Sequence, residues 1–80
     1  MKQLAPYNST DPTDYGAMRD GVYYEGVAFV QSHRRALWLA RQCRRMGARC
    51  TVLVRHWRFC VAMPADAPDA AVAYAERGGG

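Results

Sequence analysis

Residues 26–65 read GVAFVQSHRRALWLARQCRRMGARCTVLVRHWRFCVAMPA, and this stretch holds the candidate helix and most of the candidate sheet. It contains none of the seven acidic residues of the chain, but it contains eight arginines: Arg34, Arg35, Arg41, Arg44, Arg45, Arg49, Arg55 and Arg58. Trp38 and Trp57 lie among them. A planar guanidinium binds carboxylates and phosphates through paired hydrogen bonds and stacks on aromatic rings. We therefore expect this stretch to form a docking surface as well as a core.

The composition of the whole chain indicates one globular domain, residues 1–80, because half of its 80 residues are apolar. Its formal net charge of +4 attracts nucleic-acid phosphates, anionic membranes or acidic protein patches without choosing among them. The plain alternative is a basic surface that serves solubility alone. No apolar run reaches the roughly 18 residues of a membrane span, so no membrane partner is expected. Three cysteines without a Cys-x-x-Cys pair favour a reducing cytoplasm.

A long helix is predicted between Ser32, a typical N-cap, and Gly47, a typical residue for the left-handed conformation that ends a helix. The helical period places one apolar set on the core side: Ala36, Leu39, Ala40, Cys43 and Met46. The opposite side carries Arg34, Trp38, Arg41 and Arg45. This arrangement predicts an exposed tryptophan in the centre of an arginine stripe.

Three strands are predicted around this helix, at residues 22–30, 49–55 and 58–63. Gly26 indicates a bulge in the first strand. The last two strands form a hairpin whose tip is Arg55, His56, Trp57 and Arg58. Because this linker lacks the glycine or asparagine that a two-residue primed turn prefers, we expect the loop to extend into Arg55 and Arg58.

The predicted fold class is therefore α+β, with a three-stranded sheet in β-α-β-β order and the long helix across one face. Apolar residues on the second face would allow a partner or a second copy to cover it. Residues 1–20 are predicted to be a loose arm, helical over residues 14–19, with Asp11 or Thr13 as its cap. Residues 65–77 are predicted to be a helix capped by Asp66, and residues 78–80 a frayed tail.

Two groups of residues are candidate partner-binding sites. The first is the stripe of Arg34, Trp38, Arg41 and Arg45, because tryptophan and arginine dominate interface hot spots. Its alternative is that Trp38 packs beneath the amino-terminal arm or the last helix. The second group is the hairpin tip, Arg55, His56, Trp57 and Arg58, which would insert between acidic side chains or stack on bases. Its alternative is that Trp57 folds back onto the core.

Catalysis and metal binding are not indicated. Cys43, Cys50, His56 and Cys60 lack the spacing of metal ligands, and free cysteine commonly behaves as a small buried hydrophobe. No nucleophile lies beside a base, and neither His33 nor His56 has an acid in its segment to orient it. We expect no enzyme activity, no cofactor and no metal.

The order of VYYEGVAFV (22–30), SHRRALWLARQCRRMG (32–47) and RCTVLVRHWRFCVAM (49–63), about half of the chain, resembles that of small phage-encoded inhibitors of bacterial defence. These include anti-CRISPR proteins that act on type I surveillance complexes. The resemblance lies in size and element order without a diagnostic motif, so no functional residue is carried over. It implies steric obstruction, in which the surface docks on an acidic protein patch or exposed guide RNA and denies target DNA its site. The basic charge argues against DNA mimicry.

The expected function is accordingly a non-enzymatic inhibitor that binds a bacterial protein or ribonucleoprotein complex in the cytoplasm of the host cell. One alternative is a small basic regulator that binds DNA or RNA with the same arginines. Another is a structural module that self-associates, for instance as a homodimer.

Overall fold

The computed structural model describes residues 10–79, which form one curled sheet of four antiparallel strands with two helices. In chain order the elements are a 3₁₀ turn at Pro12–Asp14, β1 at Gly16–Arg19, β2 at Val22–Val30, α1 at His33–Arg45, β3 at Thr51–Arg55, β4 at Arg58–Met63 and α2 at Asp69–Glu76. The strand order across the sheet is β1-β2-β4-β3. The prediction of a three-stranded sheet is wrong, because β1 adds a fourth strand.

β1 arises from a hairpin that the sequence interpretation took for a helical arm. Asp20 and Gly21 both have positive φ, 51° and 78°, as a two-residue primed turn requires, and Arg19 pairs with Val22 across it. This turn returns the chain onto β2, so residues 16–19 are a strand and the predicted helix over residues 14–19 is wrong. Asp11 does act as a cap, but of the short 3₁₀ turn, where its side chain accepts a hydrogen bond from Thr13 N–H.

Helix α1 begins and ends where its capping residues indicate. The Ser32 hydroxyl accepts a hydrogen bond from Arg35 N–H, and Gly47 has φ of 89° just beyond the last turn. The residues buried on its inner side are Ala36, Leu39, Ala40 and Cys43. Met46 was predicted to join them but is 39% exposed, because the helix has already ended at Arg45.

β4 is central, between β2 and β3, and its side chains pack on both faces of the sheet. On the helix face, Val61 and Met63 pack with the buried side of α1 and with Ala71 and Ala75 of α2. The predicted bulge in β2 is present, as the register with β4 shifts between Gly26 and Ala28. β3 begins at Thr51 rather than at residue 49.

The second sheet face has its own core cluster, built from Tyr15, Leu53, Cys60 and Ala62. Gly26 lies directly beneath the 3₁₀ turn, and its N–H donates to Tyr15 O at 2.9 Å. Tyr15 is buried and meets Phe29 edge to face. The chain itself therefore covers part of this face.

The carboxyl-terminal segment is shorter as a helix and more ordered at its end than predicted. α2 begins at Asp69 with Pro68 as its N-cap, so Asp66 does not cap it. Gly78 N–H and Gly79 N–H donate to carbonyls of α2 and return the chain toward α1, so residues 78 and 79 are not frayed. Residues 1–9 of the predicted arm and Gly80 lie outside the described residues. Within residues 10–79, neither helix is long and apolar enough to cross a membrane.

Candidate binding surface

The outer side of α1 presents three exposed arginines, Arg34, Arg41 and Arg45, which we call the helix arginines. None of their guanidinium groups makes a hydrogen bond or an ion pair with residues 10–79. The other helical arginines have structural contacts. Arg44 donates from Nε and Nη2 to Cys50 O, at 3.2 and 2.8 Å, and so ties the end of α1 to the start of β3. Within residues 10–79, the helix arginines are thus the arginines of α1 whose guanidinium groups have no such contact.

Trp38 does not project freely to solvent from the centre of the stripe. It is half-buried, packs against the main core cluster and carries the Arg35 guanidinium 4.2 Å from its ring centroid. Arg35 Nη2 donates to Gly78 O at 2.6 Å, and a Cβ added to Gly79 would lie 2.6 Å from the indole. The prediction of an exposed Trp38 is therefore wrong, because the segment after α2 folds over that flank of the helix.

The hairpin tip, residues 55–58, is tighter than predicted. Arg55 pairs with Arg58 as the last residues of the ladder, which leaves His56 and Trp57 as a two-residue turn. Their φ values are 51° and 64°, a left-handed conformation that costs residues with a Cβ roughly 1–2 kcal/mol each. The prediction that the loop extends into Arg55 and Arg58 is wrong, since the chain accepts this strain to keep the turn short.

Trp57 is 88% exposed, the highest value among the large apolar side chains of the described residues. It therefore does not fold back onto the core. The two flanking arginines lie directly opposite each other, an arrangement of like charges that destabilises a sheet. The strained turn and the facing charges disfavour the isolated fold, and backbone strain clusters at functional sites.

A groove begins beside this tip, and we call it the tip groove. Two adjoining depressions share Phe29, Val30 and Gln31 as a common wall. The first, of about 270 Å³, is completed by Trp57 and Arg58. The second, of about 440 Å³, is completed by Ser32, Arg35, Leu39 and Gly78. The first depression therefore lies at the hairpin tip and the second at the start of α1, and the name tip groove is kept for the first.

One arginine in each depression lies over an aromatic ring. The Arg58 guanidinium lies 4.9 Å from the centroid of Phe29, and Arg35 lies over Trp38 as described above. Sequence reasoning did not single out Phe29, Gln31 or Arg35 as site residues. For Phe29 the signal was the register of the sheet. Phe29 pairs with Cys60, which lies two residues beyond Arg58 on the same face of β4, so Phe29 and Arg58 are neighbours.

The three cysteines are buried and free. Burial raises the pKa of Cys50 to about 12 and that of Cys60 to about 11, and it also raises the pKa of Cys43. The thiolate is the reactive and metal-binding form, so these thiols are held in the inert, protonated state. Among residues 10–79, no three His, Cys, Asp or Glu side chains come together as a metal site.

No protein-family model, no curated protein and no solved structure matches this chain.

Proposed function

We propose that this protein is a non-enzymatic inhibitor that binds an anionic surface of a bacterial nucleic-acid-handling complex and sterically blocks the DNA-binding site of that complex. The hairpin tip is the main contact, and the helix arginines extend it. Under this proposal the protein acts in the cytoplasm of a bacterial host cell. The resemblance to phage-encoded inhibitors makes a type I surveillance complex the first target to test.

The single observation that carries the proposal is the exposure of Trp57 between Arg55 and Arg58. Tryptophan and arginine are the residues whose truncation most often costs a complex 2 kcal/mol or more. An exposed indole contributes nothing to the isolated fold, and it gives favourable free energy only when a partner buries it. The turn that presents it is strained, and this strain lowers the stability of the isolated fold. A contact that buries the indole explains why both are tolerated.

The charge pattern supports an anionic target. No acid occurs between residues 26 and 65, so the stretch that carries the hairpin tip and the helix arginines has eight arginines and no negative charge. Such a field steers the protein toward negative surfaces and repels basic ones. Of the sites proposed from the sequence, the tip gains support from its geometry, whereas the stripe keeps its arginines but loses Trp38 as an exposed anchor.

The test has two steps. Affinity capture from a bacterial lysate, with and without nuclease, identifies the complex, and the target-DNA binding of that purified complex is then measured with added protein. We expect inhibition by the wild type and a loss of at least about 30-fold in inhibitory potency for Trp57→Ala. Met18→Ala is the matched control, because Met18 is also an exposed large apolar residue but lies in β1, far along the sheet from the tip.

Recovery of bulk DNA or RNA alone, lost after nuclease, would overturn the proposal. So would equal inhibition by the wild type and Trp57→Ala. A small basic regulator that binds nucleic acid directly is the second candidate, and the observation that favours it is the presence of aromatic and cationic side chains together along the tip groove.

A further inference from the structure

We infer that the free edge of β3 binds an extended acidic segment of a partner protein as an added antiparallel strand. β3 is the last strand in the sheet, so within residues 10–79 it is paired on its β4 side alone. The outward N–H and C=O groups of such an edge can hydrogen-bond a strand from another protein. The inference rests on the function proposed above, because it identifies part of the anionic surface of the target as an extended protein segment.

The hairpin register decides which backbone groups of β3 point outward. Because the turn has two residues, Arg55 and Arg58 are the closing, hydrogen-bonded pair of the ladder. Hydrogen-bonded and non-hydrogen-bonded pairs alternate along an antiparallel ladder, so Val52 and Val54 turn their N–H and C=O groups away from β4. The backbone of these two valines is therefore the part of the edge that an added strand would bind.

Arginine side chains already lie at both ends of this edge. Arg55 Nη1 donates to the outward carbonyl Val54 O at 2.9 Å, and Arg44 binds Cys50 O just before the strand. An added strand must replace Arg55 at Val54 O. A carboxylate on that strand gives the displaced guanidinium a stronger, charge-assisted acceptor, whereas a neutral strand gives it none. The edge therefore favours an acidic segment.

The side chains of β3 indicate the pattern of that segment. In an antiparallel pair, residues directly opposite each other lie on the same face of the sheet. Val54 is 48% exposed and shares its face with Val52, so the residues opposite these two should be apolar. Arg55 lies on the other face, and the residue opposite it should be acidic. The expected segment alternates apolar and acidic residues.

Charge argues against two other occupants of the edge. A second copy would bring together two edges from the stretch of residues 26–65, which has eight arginines and no acid. Residues 1–9 of the same chain contain Lys2 and no acid. Like charges oppose both contacts, whereas a segment of opposite sign is attracted to the edge.

The first test is fluorescence anisotropy of a labelled peptide of about seven residues in which glutamate and valine alternate. We expect the wild type to bind it on the order of tenfold more tightly than the matching peptide of glutamine and valine. Arg55→Gln should reduce this preference about threefold. The matched control is Arg19→Gln, which removes the same charge from an exposed position at the end of β1, on the opposite side of the sheet, and should leave the preference unchanged.

The second test asks whether the peptide binds as a strand. The peptide valines opposite Val52 and Val54 direct their N–H groups at β3, so N-methylation of the peptide valines should weaken binding at least about tenfold, and N-methylation of its glutamates should not. Hydrogen exchange of the Val52 and Val54 amides should slow when the peptide binds. The Leu53 amide, which already faces β4, is the internal control.

Four outcomes would overturn the inference: no binding of the glutamate peptide, an equal effect of Arg55→Gln and Arg19→Gln, equal binding of the two N-methylated peptides, or unchanged exchange at Val52 and Val54 in the presence of bound peptide. The proposed function fails separately. If no peptide binds but the captured complex is still inhibited in a Trp57-dependent manner, only the inference is wrong. If the peptide binds as expected but no complex is inhibited, the inhibitor function is wrong and the edge of β3 remains a site for acidic strands.

Discussion

At the scale of single residues, the two tryptophans differ in exposure. The sequence predicted an exposed Trp38 on the helix, but Trp38 is half-buried and Trp57 is the exposed tryptophan. Helical periodicity predicted that Trp38 points to solvent. Periodicity describes the helix alone and carries no information about other segments that pack onto it. The carboxyl-terminal glycines cover it and leave Trp57 as the exposed indole. The exposure of Trp57 was one of two alternatives that the hairpin sequence left open, because a turn residue can fold toward or away from the sheet.

The strain at Trp57 predicts that stability and binding can be separated. Replacing His56 and Trp57 with Asn and Gly supplies the residues that a primed two-residue turn prefers, so we expect the free energy of unfolding to rise by about 1–2 kcal/mol. Thermal and denaturant unfolding measure this gain, and the same variant should lose its inhibition of the target complex because the indole is gone. His56→Asn alone is the control, since it keeps the indole and should keep binding. A lower melting temperature for the double variant would mean that the turn is not strained.

At the scale of elements, the sequence predicted those whose ends carry their own signals. Ser32 and Gly47 mark α1, and Arg58–Met63 was predicted with the bounds that the structure has. β1 was missed because four residues, Gly-Ala-Met-Arg, have no alternation of their own and become a strand only by pairing with β2. The Asp20-Gly21 turn was the available evidence for it, as this dipeptide is among the strongest signals of a hairpin.

Two neighbouring arginines at the end of α1 give a prediction at this scale. Arg44→Ala removes two hydrogen bonds to Cys50 O and frees the link between α1 and β3, so we expect a loss of about 1–2 kcal/mol in the free energy of unfolding. Arg45→Ala removes the same charge from the same helix end but no such bond, and it should change stability by less than about 0.5 kcal/mol. Urea unfolding of both variants makes the comparison. Equal losses would show that charge at the helix end, rather than the tie to Cys50, is what matters.

At the scale of the whole molecule, the sheet is covered on two faces by different parts of the chain. α1 and α2 cover one face, whereas the 3₁₀ turn and Tyr15 pack on the other. The sequence showed apolar residues on both faces of β2 and β4. A local pattern does not indicate which distant segment of the chain packs on each face.

The 3₁₀ turn contacts the sheet at Gly26, and this contact gives a prediction for the whole fold. A Cβ at this position would collide with Pro12 O of the 3₁₀ turn and lie 2.7 Å from Cys60 Sγ in β4. Because backbone on one side and a buried strand on the other leave no room, we expect Gly26→Ala to cost about 1–3 kcal/mol and to displace the turn.

Tyr15 reports that displacement. Its ring lies 5.2 Å from Phe29, centroid to centroid and edge to face, so its proton resonances should be shifted in the wild type and move toward random-coil values in Gly26→Ala. Gly47→Ala is the control: its Cβ would meet open space, and its positive φ should cost about 1 kcal/mol without altering Tyr15. If Gly26→Ala unfolds at the wild-type temperature with unchanged Tyr15 resonances, the turn does not hold this face. The tip groove should then be unaffected as well, because Phe29, which forms its wall, would keep its contact with Tyr15.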